Sequence, residues 1–199
     1  MANPQISVSD NFLNADEQKS LWDFLNEPGW AFGAFSDQEK GSRYFYKHFA
    51  GYQRDPSKEG QPTAFEDELR ERFPQIARVW DRLKQGPLQG HVLSRCYANG
   101  MPSGVEGALH LDSNLDTHLT TIYYPHLSWH PNFAGETVFF DKAGADIVAA
   151  VYPRPNRLVI FSGTIPHVAR PASRKGPDLR ITLMFKTMPL EDAVAMAGR

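Results

Sequence analysis

Beyond Gly90 the chain breaks into six short β-rich runs: Val92 to Tyr97, Thr120 to Tyr124, Thr137 to Asp141, Ile147 to Tyr152, Arg157 to Phe161 and Arg180 to Lys186. β-Branched and aromatic residues are concentrated in them, and Gly, Pro, Asn or Asp punctuates the gaps. Many short strands separated by such turns fold as a sandwich or barrel of jelly-roll type. The chain has 199 residues, enough for one sizeable core and too few for two. No internal repeat or composition shift marks a second domain. We therefore expect one mainly β domain over 1–199, with a strand and supporting helices over 1–88, a β core over 89–187 and a tail over 188–199.

The first ninety residues carry helical signals. Asn14 with Glu17 three residues on has the form of a capping box, and Leu21, Phe24 and Leu25 make an apolar stripe that Pro28-Gly29 closes near Asn26. Ile6 and Val8 alternate with polar neighbours as a short strand. The aromatic-rich stretch from Trp30 to Tyr52 suggests two strands around a turn at Ser36–Ser42, with the rings mainly in the sheet core or, alternatively, some of them lining a pocket mouth. Arg54–Pro62 has loop composition. Thr63-Ala64-Phe65-Glu66 matches a second capping box, and Phe65, Leu69, Phe73, Ile76, Trp80 and Leu83 continue at helical spacing, interrupted by Pro74.

Composition narrows the function. A formal net charge of −2 gives no basis for a nucleic-acid or membrane-surface partner. Cys96 is the only cysteine, which excludes an internal disulfide and a Cys-type zinc site and fits a reducing cytoplasm. The N-terminus lacks the basic and apolar regions of a signal peptide, and no run is apolar enough to span a bilayer.

Chemistry centres on His110-Leu111-Asp112. In extended backbone, positions i and i+2 leave the same face, so an imidazole and a carboxylate stand side by side. They supply two donors of a 2-His-1-carboxylate site, the set that suits non-haem Fe(II) and leaves open positions. His167, after the run Leu158–Phe161 and the turn Ser162-Gly163-Thr164, is the candidate third donor. With seven histidines in the chain, His-x-Asp alone is weak, and Asp116-Thr117-His118 is a reversed decoy nearby. Arg180 heads an otherwise apolar strand and needs an anionic partner: a bidentate carboxylate ligand, or a salt bridge to Asp or Glu at the rim. His48, His91, His118, His126 and His130 have no comparable context, although His126 and His130 could form a surface metal site. Arg170, Arg174 and Lys175, with Arg154 and Arg157 not far off in sequence, make a solvated basic loop or, alternatively, ring a pocket for an acidic substrate. Arg43, Lys47 and Arg95 are further candidates for substrate contact.

The ordered set His110-x-Asp112, His167 and Arg180 resembles the Fe(II)/2-oxoglutarate-dependent oxygenases, particularly the prolyl-hydroxylase-like branch. Supporting segments are Cys96–Gly100, His110–Asn114, Ile122-Tyr123-Tyr124 with Trp129, Gly135-Glu136-Thr137, Arg157–Phe161 and His167-Val168. The resemblance covers Arg95–Lys186 and implies a double-stranded β-helix. It implies that His110, Asp112 and His167 bind iron, that Arg180 pairs with the distal carboxylate of 2-oxoglutarate, and that Tyr124 hydrogen-bonds the same carboxylate. Tyr97 matches a tyrosine near the keto-acid end, and Trp129 and Glu136 match structural positions. Lys186 departs from the pattern, standing where animal prolyl hydroxylases carry a large aromatic.

The implied activity is hydroxylation of an unactivated C–H with O2, yielding succinate and CO2, with ascorbate as an admissible reductant. Related halogenases lack the carboxylate that Asp112 supplies. The implied substrate is an amino acid, a peptidyl residue or a small natural-product intermediate. A non-catalytic jelly-roll sensor or scaffold is the alternative, and a cofactor-independent iron dioxygenase would leave Arg180 and Tyr124 without a role.

Overall fold

Why the two faces of one sheet differ so sharply in chemistry is visible in its central strand. In the computed structural model, which describes residues 6–37, 41–51 and 63–197, strand β10 (Leu179–Pro189) buries Ile181, Leu183 and Phe185 on one side. The alternate residues Arg180, Thr182, Met184 and Lys186 line a cavity on the other. The period of two in a strand makes this sorting automatic.

β10 sits in the middle of a seven-stranded antiparallel sheet. The partners are β1 (Ile6–Ser9), β2 (Ala31–Ala34), β3 (Tyr44–Ala50), β4 (His91–Pro102), β5 (Leu119–Tyr124) and β8 (Arg157–Ser162), in the order β1-β8-β5-β10-β4-β3-β2. A second antiparallel sheet has the order β7-β6-β9, from β6 (Thr137–Phe140), β7 (Ile147–Val151) and β9 (His167–Ala169). Between the sheets lies an apolar cluster of Ile122, Tyr124, Phe139, Val151, Val159, Phe161, Ile165 and Met184. This is the two-layer sandwich expected of a jelly roll, mainly β.

Helices α1 (Ala15–Asn26), α2 (Ala64–Arg72) and α3 (Pro74–Gln85) cover the outer face of the large sheet. Trp80 of α3 stacks on Phe185 with ring centroids 6.0 Å apart, and Phe24 of α1 meets Phe49 at 5.9 Å. Asn14 forms the expected reciprocal cap with Glu17. Pro74 separates α2 from α3 as its ring chemistry requires.

Several expectations are corrected. Thr63 makes no side-chain cap, because Glu66 is turned into the interior, where its carboxylate takes Lys84 Nζ at 2.9 Å and the Leu93 N–H at 3.4 Å. The aromatic stretch divides: Phe49 and Trp30 pack with the core, while Phe35, Tyr44 and Tyr46 line the cavity. Parts of the Ser36–Ser42 turn and all of the Arg54–Pro62 loop lie outside the described residues. The stretch expected as a tail extends β10 to Pro189 and then forms helix α4 (Leu190–Ala197). Among the described residues no helix is long and apolar enough to cross a membrane.

Candidate metal centre and active site

His110 and Asp112 do not sit in a regular strand. The segment after β4 is instead pinned by single backbone contacts. His110 and His167 exchange N–H···O bonds of 3.2 and 3.1 Å, and the Asp112 N–H donates to Gly163 O at 2.9 Å. The effect is the one an extended strand would give. One donor atom from each of His110, Asp112 and His167 lies within 4.8 Å of the others.

The histidine tautomers follow from their neighbours. His110 Nδ1 is 2.9 Å from Ala108 O, and His167 Nδ1 is 2.9 Å from Ile165 O. A carbonyl only accepts, so both Nδ1 atoms carry a proton and both Nε2 atoms are turned toward Asp112. His110 Nε2 lies 3.3 Å from Asp112 Oδ1, and His167 Nε2 lies 3.4 Å from Oδ2. Burial pushes the His167 pKa down to about 4, so the ring is neutral at physiological pH. Burial opposes ionisation of Asp112, but the Lys186 ammonium beside it outweighs burial and holds the carboxyl well below its ordinary range.

Lys186 is the unexpected member. Its Nζ forms an ion pair with Asp112 Oδ2, which also accepts from Thr120 Oγ1 at 2.6 Å, and Nζ lies 3.0 Å from that same hydroxyl. Oδ2 is thereby committed to protein groups, leaving Oδ1 for a metal. Two imidazole Nε2 donors and one carboxylate oxygen suit Fe(II), with coordination positions left for other ligands.

The same cavity, about 480 Å³, reaches Arg180. Arg180 is 2 % exposed, not at a rim, and no carboxylate lies within salt-bridge distance of it among the described residues. Its Nε donates to Gly135 O at 2.6 Å and its Nη2 to Thr137 Oγ1 at 3.0 Å. A Cβ on Gly135, where φ is +85°, would come within 3.2 Å of Arg180 Cδ, so the close approach of this carbonyl needs glycine. Tyr124 stands behind the arginine. Arg180 Cζ is 5.6 Å from the Tyr124 ring centroid, and the Tyr124 hydroxyl lies 2.7 Å from Thr137 Oγ1. Thr137 and Arg180 line the cavity and Tyr124 does not. Tyr97 does, with the Arg95 guanidinium 4.4 Å over its ring. Burial, with the nearby Asp112 charge, raises the Tyr97 pKa above its ordinary value, so its hydroxyl stays protonated.

Other residues singled out in the sequence are elsewhere. Arg170, Arg174 and Lys175 do not line this cavity, and Arg154 and Arg157 pair with Asp10 at 3.2 and 2.7 Å. Lys47 donates to Leu25 O and Glu27 O, and Arg43 to Gly33 O. His126 is no surface ligand: it is buried, and its Nε2 accepts from the Ile181 N–H at 2.9 Å. Trp129 donates to Ala134 O at 2.9 Å in the wall behind Gly135. Thr120 and Thr137 escaped the sequence reading; strand parity, with Thr120 two residues before Ile122 and four before Tyr124, was the signal for the first.

The sequence profile of the 2OG-Fe(II) oxygenase superfamily matches residues 95–185, the stretch that contains all these donors. Over that stretch, a little under half of the chain, the sequence resembles the 2OG-Fe(II) oxygenase superfamily. No curated protein sequence matches it significantly. A Pseudomonas putida prolyl-4-hydroxylase superposes with a TM-score of 0.60 at 20% identity, covering 94% of this chain and 93% of its own. A Trichoplax adhaerens prolyl hydroxylase in complex with a hypoxia-inducible-factor peptide gives 0.63 at 16%, covering 100% and 89%. HygX from Streptomyces hygroscopicus, solved with nickel and 2-oxoglutarate, gives 0.61 at 12%, covering 94% and 84%. At these identities the superpositions speak for a shared fold.

Proposed function

We propose that the protein is a hydroxylase that inserts oxygen into an unactivated C–H of an amino acid, a peptidyl residue or a small natural-product intermediate. His110, Asp112 and His167 would hold Fe(II) through Nε2, Oδ1 and Nε2. Arg180 would take the distal carboxylate of 2-oxoglutarate, helped by the Thr137 hydroxyl, with Tyr124 ordering both from behind. Tyr97 is near enough to the centre to serve the keto-acid end. Bound iron and 2-oxoglutarate would supply the oxidising power, with succinate and CO2 as co-products.

The protein's own part is positional and electrostatic. The two carbonyl-tied Nδ1–H groups fix the imidazole planes, Lys186 and Thr120 fix the carboxylate plane, and the sandwich keeps bulk water from the centre. The observation that carries the reading is a single cavity holding three convergent donors at one end and, at the other, a buried arginine with no carboxylate at salt-bridge distance among the described residues.

The test is formation of succinate from 2-oxoglutarate under air with Fe(II) and a broad panel of amino acids and peptides. Arg180→Met is expected to raise the KM for 2-oxoglutarate about 10- to 100-fold, the worth of a charge-assisted bidentate pair. A non-catalytic metal sensor draws support from Lys186, whose ion pair occupies one oxygen of the donor carboxylate. It predicts no succinate with any member of the panel.

A further inference from the structure

The cavity wall has an unusual charge balance. Among the described residues it contains three permanent cations, Arg95, Arg180 and Lys186, and one carboxylate, Asp112. Asp112 is already engaged by Lys186, and the proposed function assigns Arg180 to 2-oxoglutarate. Arg95 is left over. Its Nη2 lies 3.3 Å from His48 Nε2, while its Nε is buried and has no hydrogen-bond partner among the described residues. A buried guanidinium N–H without an acceptor is costly, and an incoming carboxylate is the group whose geometry satisfies Nε and an Nη together.

Position separates the two arginines. Along the β4–β10 pair, Arg180 is opposite Met101 and Arg95 is opposite Lys186. Six residues of strand between them put their Cα atoms about 20 Å apart. Arg95 therefore stands at the metal end, beside the Lys186–Asp112 pair, and Arg180 at the far end. The bulge between Lys186 and Thr187 in the β10–β4 register lies next to this pair. Gly51, at φ +70°, lets the β3 edge run against it, since a Cβ there would lie 2.2 Å from Ser94 O. Tyr97 and His48 flank Arg95, and the cavity wall also carries the aromatic and aliphatic side chains of Tyr44, Tyr46 and Met184, suited to a short carbon skeleton.

We propose that the primary substrate is a small molecule with a free carboxylate, and that Arg95 binds this carboxylate while the carbon skeleton lies over the metal. The inference rests on the iron and 2-oxoglutarate assignment above. It narrows the three substrate classes left open there, because an internal residue of a peptide other than Asp or Glu has no carboxylate to offer Arg95, whereas a free or N-acylated amino acid or a 2-hydroxy acid has one.

The test uses the full chain loaded anaerobically with Fe(II) and 2-oxoglutarate, whose visible charge-transfer band reports co-substrate binding. Free L-amino acids, N-acetyl amino acids and 2-hydroxy acids are each compared with the matching primary amide, by the shift they cause in that band and by succinate formed under air. At least one acid is expected to bind about tenfold or more tighter than its amide. Arg95→Met should weaken that acid about 10- to 100-fold while leaving 2-oxoglutarate binding within about twofold, and Arg95→Lys should recover part of the loss. The proposal is overturned if no acid binds more tightly than its amide. It is equally overturned if Arg95→Met and Arg95→Lys lose 2-oxoglutarate and acid together, which would make Arg95 part of the co-substrate site. Absence of the band in the unmodified protein would instead strike the iron and 2-oxoglutarate assignment itself, and this inference with it.

Discussion

Lys186→Met isolates the electrostatics of the metal centre. The lysine and Asp112 side chains are 17% and 9% exposed, so the variant strips a counter-ion from a carboxylate with little access to water. Removing one partner of a buried pair costs about 3–5 kcal/mol. Asp112 keeps the Thr120 hydroxyl at 2.6 Å as a donor, so the lower end applies. We expect about 3 kcal/mol of lost stability in the metal-free protein. For a chain of this length that is a fall in Tm of about 6–12 °C. A divalent ion restores the missing positive charge and no longer competes with an ammonium. Metal should therefore bind the variant about tenfold more tightly, and the Tm gain on adding metal should exceed that of the unmodified protein. Calorimetry with and without Mn(II), and a Mn(II) titration followed by electron paramagnetic resonance, measure both quantities. A metal-free variant as stable as the parent, or one that binds Mn(II) more weakly, would refute the reasoning.

His126 gives a pH signature unconnected with the metal. Burial and the Arg180 charge lower its pKa to about 3, whereas in the unfolded chain it titrates near 6.5. The unfolded state therefore binds the extra proton in between, and stability is lost as pH falls from about 6.5 towards 3, by about 1.4 kcal/mol per pH unit. His126→Gln, whose amide oxygen can still accept from Ile181 N–H, should flatten the dependence of unfolding free energy on pH by that slope; urea melts at pH 4.5, 5.5 and 6.5 on both proteins check it, and equal slopes would count against it. Gly135→Ala sets a Cβ 3.2 Å from Arg180 Cδ and forces a side chain to positive φ. It should raise the KM for 2-oxoglutarate several-fold and leave Mn(II) affinity unchanged, and steady-state kinetics with a metal titration would expose the opposite pattern.

How far residues alone reach depends on whether a role is set by local pattern or by register. The face-sorting of β10 was legible because strand alternation needs no partner, and His110 with Asp112 was legible because i and i+2 share a side in any extended backbone. The break at Pro74 and the Asn14 cap were equally local. The partnership of Lys186 with Asp112 was not, because it requires a loop of the chain to fold back within reach of one strand residue. The same holds for Glu66: its sequence context advertised a cap, and long-range pairing with Lys84 and the Leu93 N–H won instead. Aromatic enrichment from Trp30 to Tyr52 signalled strands correctly, yet which rings meet the core and which the cavity depends on β3–β4 pairing. That Tyr124 and Arg180 share the Thr137 hydroxyl, with Tyr124 outside the cavity lining, was likewise set by long-range pairing.

The most direct test of the central claim is an anaerobic titration of the metal-free protein with Fe(II) and 2-oxoglutarate, read by visible absorption. The unmodified protein is expected to develop a saturable charge-transfer band at one equivalent of iron per chain, and Asp112→Ala and His167→Ala to develop none. A band that persists in either variant would contradict the assignment of His110, Asp112 and His167 as the iron site.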